Sequence, residues 1–108
     1  MAASQTTKAE KLLAAERARI DELDSELIRI LGERVKICIS IARIKSEANI
    51  PMMQPGRLSD VRERLVGEGK SVGLRPEFVA ELHGTVTRET CRIEDEVMGN
   101  APQADVAK

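Results

Sequence analysis

The sequence predicts an all-α chain of three helices, the first of them very long. Three observations carry that expectation. Of the 108 residues, 42% are apolar and 32% charged, while Tyr and Trp are absent and Phe78 is the only aromatic residue. Such a composition suits amphipathic helices and argues against β-sandwiches and base-stacking platforms. Apolar residues recur at helical spacing over some forty residues without a proline. Proline and glycine then punctuate the remainder into two shorter segments.

The first segment runs from about Lys8 to about Glu47, with Gly32 its one weak interior position at a cost of about 1 kcal/mol relative to Ala. Its stripe is Leu13, Ile20, Leu23, Leu27, Ile30, Ile37, Ile41 and Ile44, close to a heptad period. A helix of roughly 40 residues is about 60 Å long, whereas a globule of this size has a radius of gyration of about 13 Å. The remaining residues cannot cover such a stripe. A second copy in an antiparallel, symmetric homodimer is the simplest cover. Asn49–Gly56 reads as a loop broken by Pro51, Pro55 and Gly56. A second helix follows from about Arg57 or Leu58 to Glu68, with Gly67, Gly69 and Gly73 as end signals. The third starts at Pro76, at the first helical position, and continues to about Met98 with Gly99 and Asn100 as stops. Its apolar face is Phe78, Leu82, Val86, Ile93 and Val97. Residues 1–7 and 100–108 read as flexible tails around a single helical domain of residues 8–99.

The charges nearly cancel, 17 basic against 18 acidic for a net charge of −1, so neither nucleic acid nor an acidic membrane is an expected partner. Cys38 and Cys91 have no metal or redox spacing and read as small buried hydrophobes. No apolar run has signal-peptide or membrane-span character, which makes a cytoplasmic location the expectation. No cofactor or metal is implied.

Polar residues on apolar faces are the candidates for chemistry. Arg34 lies seven residues after Leu27 and seven before Ile41, and Lys45 follows Ile41 by four. Thr90 and Glu94 are four apart on the third helix, Arg57 follows the Pro-Gly corner, and Arg17 lies near the start of the first stripe. Each has an ordinary reading: snorkelling cations, a back-bonded Thr90, a rim Glu94, a structural His83. Taken together, cations along an apolar stripe make sense when a compact anion completes the site. Arg34 and Lys45 are about 16 Å apart along one helix, whereas Arg17 is about 25 Å from Arg34 and can join it only from the other subunit.

In order along the chain, ERARIDELDSELIRILGERV, IARIKSEANIP, the P-x-x-x-P-G-R corner at Pro51–Arg57 and the third helix after Gly73–Phe78 resemble the all-helical chorismate mutases over about Leu12–Met98. PMMQPGR and ETCRIEDEVM look most like the branch acting on 4-amino-4-deoxychorismate in antibiotic biosynthesis. The resemblance implies an intertwined homodimer with two shared active sites and a Claisen rearrangement of chorismate to prephenate, without cofactor. It implies that Arg34 binds one carboxylate and the partner's Arg17 the other. By the same resemblance Lys45 binds the enolpyruvyl carboxylate and ether oxygen, and Arg57 orients the ring end. Thr90 contacts a carboxylate, and Glu94 occupies the position where Gln commonly faces the ether oxygen. Gln54 and Leu58 stand where acidic groups near ring C4 are common. The alternative substrate is 4-amino-4-deoxychorismate. Isochorismate-pyruvate lyase activity and a non-enzymatic helical dimerisation module are the weaker alternatives.

Overall fold

Helix α1 spans Ala2–Ala48, α2 Pro55–Ser71 and α3 Pro76–Met98, and there is no strand among the described residues. The computed structural model describes residues 2–52 and 54–99, with side chains from Thr7 onward. The expected tail at residues 100–108 lies outside the described residues. The expected tail at residues 1–7 is corrected in part, because α1 is already helical from Ala2. That stretch holds neither Gly nor Pro, and two of its residues are Ala, the best helix former.

The chain divides into two units, Met1–Arg34 and Val35–Lys108. In the first unit no described side chain is buried, and Leu31 alone is half-buried. The stripe residues Leu13, Ile20, Leu23, Leu27 and Ile30 are all exposed there. Two pairs lie along its surface, Arg19–Glu22 at 3.7 Å and Arg29–Glu33 at 3.1 Å. Such exposed pairs contribute only about 0.3–0.5 kcal/mol each.

In the second unit the end of α1 presents a different face inward. Cys38 and Ala42 are buried and Val35, Ile39 and Lys45 half-buried, while Ile37, Ile41 and Ile44 are exposed. The bulky stripe read from the sequence is therefore the outer face of α1 in the single chain, and a face of smaller residues packs inward. The α3 face is corrected in part, since Val86 and Ile93 of the expected face are half-buried. Val79, Cys91, Glu94 and Asp95 are its buried residues, whereas Phe78 and Leu82 are exposed.

Helix α2 begins at Pro55 and outlasts its expected end at Glu68. Pro55 starts the helix rather than breaking it, since its missing N–H has no helical partner at that position. Gly67 and Gly69 do not stop it. Gly69 is buried, and a Cβ built there would lie 2.7 Å from Cγ2 of Val79. The absent side chain lets α2 and α3 approach. Gly73 does end α2: with φ 86 it occupies the left-handed region, Leu74 N–H donates to the Gly69 carbonyl at 2.8 Å, and Gly73 N–H to that of Lys70 at 3.2 Å. The end of α1 is built alike, with Asn49 at φ 56 and Ile50 N–H donating to the Lys45 carbonyl at 2.8 Å. Asn is one of the few residues other than Gly that visit this region readily.

Candidate active site around Lys45

Lys45 stands in the last turn of α1, where the chain leaves the helix. Its Nζ donates to Oε1 of Glu94 on α3 at 3.0 Å and to the carbonyl oxygen of Met52 in the α1–α2 loop at 2.7 Å. The two charged side chains retain 14% and 7% of their exposure, so water screens the pair poorly. Desolvating both ions is expensive, and the pair persists only because each ion meets the other in good geometry. An ammonium has three N–H donors. Two of them point at acceptors on two separate elements, which fixes the cation in space and leaves one donor for a ligand oxygen.

One turn before Glu94, Thr90 donates through Oγ1 to the Val86 carbonyl at 3.0 Å and lies 3.7 Å from Sγ of Cys38. Cys38 and Lys45 are seven residues apart on α1, and Thr90 and Glu94 four apart on α3. One contact line thus carries a thiol–hydroxyl contact at one end and an ion pair at the other. Both sulfur atoms are thiols in buried residues, as the sequence suggested.

The other candidates stand elsewhere along the chain. Gln54 is exposed and its Nε2 donates to the Pro51 carbonyl at 3.1 Å, so it braces its own loop. Arg57 is exposed in the first turn of α2. Arg17 and Arg34 lie on α1 in the first unit, both exposed. His83 is half-buried on α3, with its ring Nε2 3.4 Å from Oγ1 of Thr87.

Two contributors escaped the sequence reading. Cys38 was legible only as an apolar filler, although its offset of seven from Lys45 places it on the same face. The Met52 carbonyl is backbone and leaves no trace in residue type. Lys45 already has an acidic partner within the chain, Glu94.

A shallow concavity of about 480 Å³ lies along α1 beside Asp21, Glu22, Ser25, Glu26 and Arg29. Its three carboxylates against one guanidinium make it a poor receptor for an anion. Among the described residues no three His, Cys, Asp or Glu side chains gather as metal ligands would, and no helix is long and apolar enough to cross a membrane. The ammonium of Lys45 is fixed and shielded, and a preorganised cation in a poorly screened site can stabilise negative charge far better than one in water.

Comparison with known proteins supplies the family. The family model for chorismate mutase type II matches residues 16–95. The chain is 40% identical over 82 residues to the 4-amino-4-deoxychorismate mutase of Streptomyces venezuelae, covering 76% of this chain and 80% of that one. It is 38% identical over 92 residues to the 4-amino-4-deoxychorismate mutase of Streptomyces pristinaespiralis, covering 83% of this chain and 71% of that one. The bifunctional chorismate mutase/prephenate dehydratase of Escherichia coli is 29% identical over 89 residues, which span 82% of this chain and 22% of that protein.

Proposed function

Since the chain belongs to the chorismate mutase type II family, an isomerase family, we propose that it converts chorismate to prephenate as a homodimer in the cytoplasm. In this rearrangement the ether C–O bond breaks while a C–C bond forms between the enolpyruvyl methylene and the ring. Bond electrons shift within one molecule, and no proton or electron is exchanged with the protein. Catalysis then consists of holding a flexible dianion in its reactive shape and stabilising the charge that grows on the ether oxygen.

The observation that carries the proposal is the fixed ammonium of Lys45, held at 3.0 Å by Glu94 and at 2.7 Å by the Met52 carbonyl. Its remaining N–H is assigned to the enolpyruvyl carboxylate and the ether oxygen. Arg34 takes a substrate carboxylate, Arg17 of the partner subunit supplies the second cation, and Arg57 holds the ring end. Thr90 contacts a carboxylate, and Gln54 borders the site from the loop. The family-like domain is assigned to residues 8–99, with helix α1 extending ahead of it to Ala2. The intertwined dimer is supported by the row of exposed aliphatic residues from Leu13 to Ile44 on α1, a surface a solitary chain would leave in water.

A second reading takes 4-amino-4-deoxychorismate as substrate. The names of the two Streptomyces relatives favour it. Purified protein offered each compound separately, with loss of its absorbance followed over time, tests both. Turnover of either supports the rearrangement, and turnover of neither overturns it.

A further inference from the structure

We infer that Asn49 is a positioning residue for the rearrangement: by holding its backbone in the left-handed region it folds the α1–α2 loop back, so that the Met52 carbonyl meets and aims the Lys45 ammonium. The inference rests on the family reaction and on Lys45 as one of its cations.

Chain geometry gives the first step. Lys45 is tied to the loop at both its main chain and its side chain. Its carbonyl oxygen accepts from Ile50 N–H at 2.8 Å, and its Nζ donates to the Met52 carbonyl at 2.7 Å. In a continued helix Met52, seven residues on, would stand about 10 Å farther along the axis. The Met52 carbonyl reaches Lys45 Nζ only because the chain reverses. Pro51 stops the helix, since a proline disfavours the helical conformation in the residue before it. Stopping sets no direction. The direction comes from Asn49, whose φ of 56 is the one positive value at a residue other than glycine among the described residues.

The loop beyond the reversal is held as well. Gln54 Nε2 donates to the Pro51 carbonyl at 3.1 Å, so the successive carbonyls of Pro51 and Met52 are both engaged. Asn49 itself is exposed, so it serves the site through its backbone rather than through packing. A residue with a branched Cβ is strongly disfavoured at positive φ, whereas glycine adopts it freely. Those two preferences separate backbone conformation from side-chain identity.

The test compares Asn49→Val and Asn49→Gly with wild type, each held well below its own unfolding transition so that only folded protein is assayed. In Asn49→Val, kcat on the substrate that wild type turns over is expected to fall on the order of tenfold, with a smaller change in KM. In Asn49→Gly it is expected to stay within about twofold of wild type. A second readout needs no turnover. Nuclear magnetic resonance of the isotope-labelled protein is expected to show a slowly exchanging lysine ammonium, absent in Lys45→Arg, kept in Asn49→Gly and lost in Asn49→Val. A purely structural cap would lower the unfolding temperature of Asn49→Val and leave both readouts of the folded protein unchanged, which overturns the inference. Equal losses in Asn49→Gly and Asn49→Val overturn it too, since the side chain then matters and not the backbone. Where Asn49→Val fails to fold, Asn49→Ala takes its place with the same expectation, because alanine also disfavours positive φ. Wild type inactive on both compounds overturns the family reaction, while the ammonium signal still decides how Asn49 acts on Lys45.

Discussion

The first thirty-four residues and the rest of the chain are written in the same aliphatic-and-charged alphabet, yet among the described residues only one of the two units has an interior. In Val35–Lys108 two thiols, an alanine and a valine are buried beside a largely shielded ion pair, among three helical segments. In Met1–Arg34 larger apolar side chains, Ile20, Leu23 and Leu27 among them, remain exposed. Burial follows from what a segment has to pack against rather than from its own hydrophobicity. The second unit meets that need only in part within its own chain, leaving Ile37, Ile41, Ile44, Phe78 and Leu82 exposed. The first, in the proposed dimer, meets it with another copy.

The sharpest way to break this comparison is to ask whether cations of the two units serve one site through two chains. Arg17→Ala, Arg34→Ala and Lys45→Ala are each expected to lower kcat/KM by about 3–5 kcal/mol. Mixed Arg17→Ala and Arg34→Ala proteins are expected to regain activity, because a mixed dimer contains one intact site. If subunits exchange and activity stays lost, Arg17 does not act across the interface.

A smaller effect tests the exposed stripe directly. Leu27→Lys places a charge in the middle of the proposed interface at a cost of about 2–4 kcal/mol. Sedimentation is expected to give twice 11.9 kDa for wild type at micromolar concentration and 11.9 kDa for the variant. A wild type that sediments as a monomer removes the dimer from the account.

The least costly test sharpens the comparison inside the second unit, between two glycines of α2. A Cβ at Gly69 meets Val79 Cγ2 at 2.7 Å, and one at Gly67 meets nothing within 4 Å. Val79 is buried and β-branched, so it yields little. Gly69→Ala is expected to destabilise by about 1–3 kcal/mol, and Gly67→Ala to stabilise by up to about 1 kcal/mol. Thermal unfolding of the two variants checks this. Equal shifts of one sign remove Gly69 as the point of close approach.

Reading the sequence recovered what local chemistry specifies. Helix α3 runs from Pro76 to Met98 as expected, because proline fits a first helical position and Gly99, at φ 73, fits a left-handed cap. What failed was whatever depended on a distant partner. The end of α2 was placed too early because Gly69 is indistinguishable from a stop signal until Val79 is seen beside it. The inner face of α1 is not legible from residue type, because Cys38 and Ala42 are small while the bulky isoleucines lie on the outer face. Lys45 and Glu94 were each legible as candidates. Their pairing was not, since nothing local links residues 49 positions apart.

The turn at Gly73 also imposes an order in time. The contact of Gly69 with Val79 closes a loop of ten residues, 79 minus 69, while the Lys45–Glu94 bond spans 49. Shorter loops lose less chain entropy on closing and close sooner. During folding, α2 and α3 are therefore expected to clasp first, with Lys45 and Glu94 still hydrated. The two ions then shed their water last, onto a surface already assembled to receive them.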